Sequence, residues 1–192
     1  MNKDGHLYSI IFTFVLTALF TAVLAITQAV YLPAITANEV DVHRRAILKV
    51  LNVSDESFFQ DFAVHVSQQS LGESAVYIIY NSDGTPQSYA FPMNGQGLWG
   101  AIKGYIGVSG DFGELLGLEF VEQNETPGLG GRIDEDWFKA QFSGIKITPG
   151  QPIGYGDGLD AVTGATSSSN AVLRLLNETL TEVFALQEVF SR

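Results

Sequence analysis

The chain has 192 residues, 46% of them hydrophobic, with no cysteine and a formal net charge of −11. The length suits one domain of ordinary size beside a further segment. The negative charge argues against a nucleic-acid partner, and the missing thiols exclude disulfides and cysteine-ligated iron–sulfur or zinc centres.

Residues 7–38 carry no charged side chain. As a helix, residues 7–32 would reach about 39 Å at about 1.5 Å per residue, enough to cross a hydrocarbon core of about 30 Å with tilt. The pattern predicts a membrane-spanning helix closed by Pro33, so that 1–38 forms an N-terminal anchor. A cleavable signal peptide ending near Ile35-Thr36-Ala37 is the weaker reading, because the apolar run exceeds a usual signal core. A buried core helix is weaker still, because a remaining domain of about 150 residues does not usually enclose so long an apolar helix. Thr13, Thr17, Thr21 and Thr27 can satisfy their hydroxyls against the helix backbone or a neighbouring helix. Lys3 precedes the span while Arg44, Arg45 and Lys49 follow it, a count that leans toward a cytoplasmic domain.

Beyond the anchor, Val40, Ile47, Val50 and Leu51 fall at helical spacing and predict an amphipathic stalk over 39–53. Ser54-Asp55-Glu56 predicts the cap of a short helix bearing Phe58, Phe59, Phe62 and Val66. Strands are expected at 75–80 and 87–91, joined through Asn81-Ser82-Asp83-Gly84, then at 101–108 and 115–123 around a second glycine-rich turn, with 144–147 as a further strand. Asp134-Glu135-Asp136 reads as the negative first turn of a helix through Phe142 and not as a calcium cage. Leu173, Leu176, Leu180, Val183 and Phe184 mark a C-terminal helix. Residues 54–192 thus read as a compact α+β domain with an antiparallel sheet and packed helices.

The familiar catalytic patterns are missing. His6, His43 and His65 have no metal-ligand spacing, and there is no phosphate-binding loop or dinucleotide fingerprint. Asn-x-Ser/Thr triplets at Asn52, Asn124 and Asn177 are of chance frequency.

Three other segments carry chemistry. In Asp160-Ala161-Val162-Thr163-Gly164-Ala165-Thr166, the glycine permits a tight turn and Ala165 adds little bulk. Ser167-Ser168-Ser169-Asn170 follows as a run of capping residues, so Thr166 is expected at a helix start, where free N–H groups and the helix dipole favour a phosphate. The same residues also suit an ordinary loop-to-helix cap. Glu125-Thr126-Pro127-Gly128-Leu129-Gly130-Gly131 is a turn-rich loop that presents one leucine on a thin backbone, able to lie against a ring or simply to turn the chain. Gly97-Leu98-Trp99 supplies an aromatic side chain for either a pocket wall or the core.

Together and in this order, the three segments resemble the NqrC/RnfG family, the covalent-FMN subunits of the sodium-pumping NADH:quinone oxidoreductase and of the Rnf complex. The resemblance implies FMN joined by a phosphoester to Thr166 through a dedicated flavin transferase, with Asp160 and Thr163 shaping the acceptor loop and serving its recognition. It places Gly164, Ala165 and Ser167 about the phosphate. Trp99, Thr126 and Leu129 are implied around the isoalloxazine, with Leu98, Glu125 and Gly130 in the same cofactor site. No catalytic residue and no metal ligand is implied. The expected role is an electron-transfer subunit of an ion-translocating complex, partnered by other membrane subunits. Its single span would lie in the bacterial inner membrane and its domain outside the cytoplasm, opposite to the charge count. Gly97-Leu98-Trp99, residues 125–131 and Asp136-Trp137-Phe138 lean toward NqrC, whereas the short chain and the acceptor segment through Ser168 also suit RnfG. A flavin-free membrane-anchored scaffold or sensory module is the alternative of a different class.

Overall fold

The computed structural model describes residues 3–53, 56–71, 74–156 and 158–190. The chain divides into a unit through Asp41 and a unit from Val42 onward. Helix α1 runs Lys3–Val50, and the first unit is the part of it up to Asp41. Its apolar side chains, among them Leu7, Phe14, Leu24, Val30 and Ile35, are exposed, and the helix is long and apolar enough to cross a membrane. Pro33 lies inside the helix and does not close it, contrary to expectation. A proline removes one N–H and crowds the carbonyl four residues back. Ending the helix in an apolar medium would strand several more backbone groups. The Thr36 hydroxyl donates to the carbonyls of Leu32 and Pro33 at 3.1 and 3.0 Å, and Thr17 and Thr27 donate to Thr13 and Val23 in the same way.

The second unit is built on six antiparallel strands that lie side by side in chain order. They are β1 (Ser67–Leu71), β2 (Ser74–Tyr80), β3 (Pro86–Gln96), β4 (Ala101–Ser109), β5 (Glu114–Gln123) and β6 (Ile145–Lys146). Alternation along the strands sorts their side chains onto two faces. Val76, Ile78, Tyr89, Phe91, Met93, Ile102 and Ile106 enter a core covered by helix α5 (Thr166–Phe190) through Val172, Leu175, Leu176 and Val183. Ile79, Ala90 and Tyr105 point the other way and meet Ala46, Ile47 and Val50 from the last turns of α1 and Leu51 just beyond it. Within the expected stalk, residues 46–48, 50 and 51 are therefore core, while Val40 and Val42 stay exposed. Asn52, at φ 61°, ends the helix in the left-handed conformation that asparagine tolerates better than most residues.

The expected helix about Phe58 is two short ones, α2 (Glu56–Gln60) and α3 (Phe62–His65), broken at Asp61 with ψ 37°. Ser54 and Asp55 of its predicted cap lie outside the described residues. Strand β1, with its exposed glutamines, has no counterpart among the expected strands. Helix α4 is only Asp136–Ala140, because a 3-10 turn over Gly130–Asp134 precedes it and Glu135 is extended at ψ 143°. Asp134 is thus outside the first helical turn and instead lies 3.0 Å from the buried Lys139 ammonium, which also pairs with Glu119 at 2.5 Å. Gly144, at φ 82°, turns the chain into β6.

Candidate functional site

The long β3–β4 hairpin carries the first of the three segments at its tip. The Gly97 N–H donates to the Gly100 carbonyl at 2.7 Å, which closes the turn and leaves Leu98 and Trp99 largely exposed, at 53% and 70%. Below the tip, α5 crosses β3 at Gly95, where a Cβ would collide with Leu175. The Arg174 guanidinium donates to the Gln96 carbonyl at 2.6 Å and so ties the same helix to the hairpin.

The second segment leaves β5. Thr126-Pro127-Gly128-Leu129 forms a turn closed by the Leu129 N–H on the Thr126 carbonyl at 3.1 Å, with Gly128 at φ 75°. Proline in the second position and a left-handed glycine in the third suit a type II turn. Leu129 is half-exposed and Thr126 exposed, whereas Glu125 and Gly130 are buried.

The third segment also begins with a turn. The Ala165 N–H donates to the Val162 carbonyl at 3.0 Å, and Gly164 at φ 80° again occupies the position that requires positive φ. The buried Ser169 hydroxyl accepts from the Val162 N–H at 2.9 Å and donates to the Ala165 carbonyl at 3.1 Å. Asp160 is fixed through its backbone: its N–H and carbonyl pair with the Gln141 side-chain amide at 2.7 and 3.2 Å. The Tyr155 hydroxyl donates to the Ser169 carbonyl at 2.7 Å, and burial pushes that phenol up to about 12. Thr166 is the first residue of α5 and is exposed, as are Thr163, Gly164 and Ser167. The Ser169 N–H makes the bond to the Ala165 carbonyl. The N–H groups of Thr166, Ser167 and Ser168 therefore precede the ordinary helical ladder.

Glu125 joins the three segments. Its Oε1 accepts the Leu98 and Trp99 N–H groups at 2.8 and 3.0 Å, and its Oε2 accepts the Ser168 hydroxyl at 2.5 Å. Trp99, Leu98, Glu125, Gly130 and the first turn of α5 are thus brought to one place, with Thr166 two residues before Ser168. Asp160 is held toward α4 through Gln141. The sequence pattern does not single out Ser168, Ser169, Gln141, Tyr155 or Arg174 as parts of this arrangement. Ser168 alone carries a signal, since it falls on the buried face of α5 with Val172 and Leu175.

The residue types present fit a phosphorylated, ring-bearing cofactor. An exposed hydroxyl stands at the positive end of a 25-residue helix, and exposed apolar side chains stand on the two loops tied to that end. The described residues contain no group of carboxylates and histidines able to hold a metal ion.

Residues 97–181, which span all three segments, match the FMN-binding domain family. Over 109 residues the chain is 34% identical to the NqrC protein of the Na(+)-translocating NADH-quinone reductase of Vibrio vulnificus strain YJ016, covering 50% of this chain and 42% of that protein. The corresponding protein of Pasteurella multocida is 35% identical over 108 residues, with the same coverage. The chain thus spans less than half the length of these relatives. Among solved structures, the NqrC of Parabacteroides distasonis superposes with a TM-score of 0.60 at 26% identity, covering 78% of this chain and 94% of that one. Shewanella oneidensis NqrC gives 0.59 at 19% identity, covering 76% and 91%, which bears on the fold alone.

Proposed function

The chain belongs to the NqrC/RnfG family, and on that premise we propose that it is a membrane-anchored electron-transfer subunit that carries FMN covalently on Thr166. The observation that carries the reading is the Glu125 junction, which draws the acceptor helix and both apolar loops to one place. In this proposal residues 1–38 anchor the protein, 39–53 connect, with 46–48, 50 and 51 packed into the core of the second unit, and 54–192 form the rest of the FMN-binding domain. Thr166 would hold the FMN phosphoryl group through its Oγ as a phosphoester, a modification that a flavin transferase would make.

Bound there, FMN supplies reversible one- and two-electron transfer. The chain's own residues place and shield it. The first-turn N–H groups of α5 and the Ser167 hydroxyl face the phosphate, while Asp160, Thr163, Gly164 and Ala165 shape the turn that presents Thr166. Leu98, Trp99, Thr126 and Leu129 surround the ring and keep water from it, and Gly130 gives the second loop its close path. Thr166 is a modification site, not a catalytic nucleophile.

The sodium-translocating NADH:quinone reductase is the proposed assembly, because the relatives from Vibrio vulnificus and Pasteurella multocida carry that name. The partners are its other membrane subunits, and the domain lies on the extracytoplasmic side of the inner membrane. The test is intact mass and denaturing-gel flavin fluorescence after co-expression with a flavin transferase. An FMN-sized increment in the wild type that is absent from Thr166→Ala supports the reading. No increment in either, with a modified positive control, sinks it and favours a flavin-free scaffold.

A further inference from the structure

Glu125 is only 4% exposed, and its carboxylate is enclosed by backbone as well as by donors. A Cβ on Gly97 would collide with Oε1, and one on Gly130 would stand 2.8 Å from Oε2 and collide with the Ser168 hydroxyl. Both oxygens are already engaged, Oε1 by the Leu98 and Trp99 N–H groups and Oε2 by Ser168. The two glycines therefore make room for a side chain of this protein, and the carboxylate faces inward among loop, hairpin and helix.

We propose that Glu125 is a positioning residue that does not touch the cofactor, and that with Ser168 it locks the exposed Leu98-Trp99 tip onto the first turn of α5. The inference rests on the proposed flavin site and specifies what holds its walls. Just below the tip, Gly95, Gln96, Leu175 and Arg174 fix the end of β3 on the helix. The tip extends past that crossing, and the Glu125 carboxylate is the bridge that carries it to Ser168. Three hydrogen bonds converge on this one side chain, two on Oε1 from the hairpin tip and one on Oε2 from the helix, and leaving the buried partners unpaired is costly, so a single side chain can set the angle of Trp99 to the first turn of α5.

The test uses the full-length chain in detergent with Trp137→Phe as background, which leaves Trp99 as the only tryptophan. Into it go Glu125→Gln, Glu125→Leu and Ser168→Ala. A glutamine keeps an acceptor for the two N–H groups and an amide for Ser168, whereas leucine removes both links and alanine at 168 removes one. Two readouts are taken: Trp99 fluorescence anisotropy without flavin, and visible circular dichroism with flavin attached. Ser168→Ala and Glu125→Leu are expected to lower the anisotropy and lose the flavin bands, with Glu125→Gln matching the background protein in both. Wild-type anisotropy and bands in Ser168→Ala, with only a lower melting temperature, would overturn the proposal. Loss in Glu125→Gln equal to that in a folded Glu125→Leu would also overturn it, in favour of a role for the charge itself. The flavin-free arm keeps this result separate from the functional reading, which fails if the wild type takes no FMN.

Discussion

Gly107 of β4 and Val50 of α1 meet so closely that a Cβ on the glycine would enter the space of the Val50 carbonyl oxygen. The last turn of α1 can rest on the sheet only because that position has no side chain. The obstructing atom is backbone, so it cannot swing away as a side-chain end could. Gly107→Ala is expected to destabilise the domain by about 1–3 kcal/mol through overpacking. Gly154→Ala, where a Cβ meets nothing within 4 Å, serves as the control and should fall within about 0.5 kcal/mol of wild type. Denaturant melts of the full chain in detergent check the difference, and equal midpoints would refute the close approach.

Ser169 and Thr166 sit on the same helical turn with opposite duties. Ser169→Ala leaves the buried Val162 N–H without its 2.9 Å acceptor, a loss of about 1–3 kcal/mol. It should also reduce flavin loading by loosening the turn that presents Thr166. Thr166→Ala removes an exposed side chain and should change stability by no more than about 0.5 kcal/mol, while abolishing the adduct. Comparing melts with adduct mass for the two variants separates them. A Thr166→Ala protein that melts as early as Ser169→Ala would contradict this division.

The contrast between these two serine/threonine positions shows where the sequence is legible. Composition alone marks the apolar helix, and glycine and proline punctuation marks the β2–β3 and β4–β5 connections. Thr166 announces itself through the turn before it. Glu125 is visible as a motif residue and Ser168 only as a polar residue on the buried face of α5; that the two are partners is not visible, since a bond across 43 positions leaves no local trace. Strand β1 escapes a sequence reading because Ser67-Gln68-Gln69-Ser70-Leu71 has neither alternation nor β-branched residues. Its conformation comes from pairing with β2, as Gln69 opposite Val76 illustrates. Pro33 misleads in the other direction, because its meaning depends on whether water is available to the freed carbonyl.

The proposed orientation runs against the flanking charges and is open to direct test. The chain has no cysteine, so Ser82→Cys, in the exposed β2–β3 turn, would be its single thiol. A membrane-impermeant maleimide added to spheroplasts should label it without lysis. Labelling only after lysis would place the domain in the cytoplasm.

Tyr155 couples the first turn of α5 to alkaline pH. Burial raises its folded pKa to about 12 from 10.0, against the opposing effect of the Ser169 side chain. Burial likewise raises Tyr105, with Tyr77 beside it, and Tyr89, with Tyr80 beside it. Lys139 is also raised: burial alone would lower it, but Glu119 and Asp134 outweigh that. For every one of these groups the folded chain keeps a proton that the unfolded chain gives up first. Their stabilisation is therefore complete below about pH 10, falls as pH rises, and for Tyr155 is gone once pH passes about 12. Tyr155→Phe should cost about 1 kcal/mol at neutral pH through the lost 2.7 Å bond, but phenylalanine has no proton to lose. The stability gap between wild type and Tyr155→Phe should accordingly narrow from pH 10 upward. Denaturant melts at half-unit intervals across that window measure it, and a gap that stays constant would show that Tyr155 titrates alike in the folded and unfolded chains.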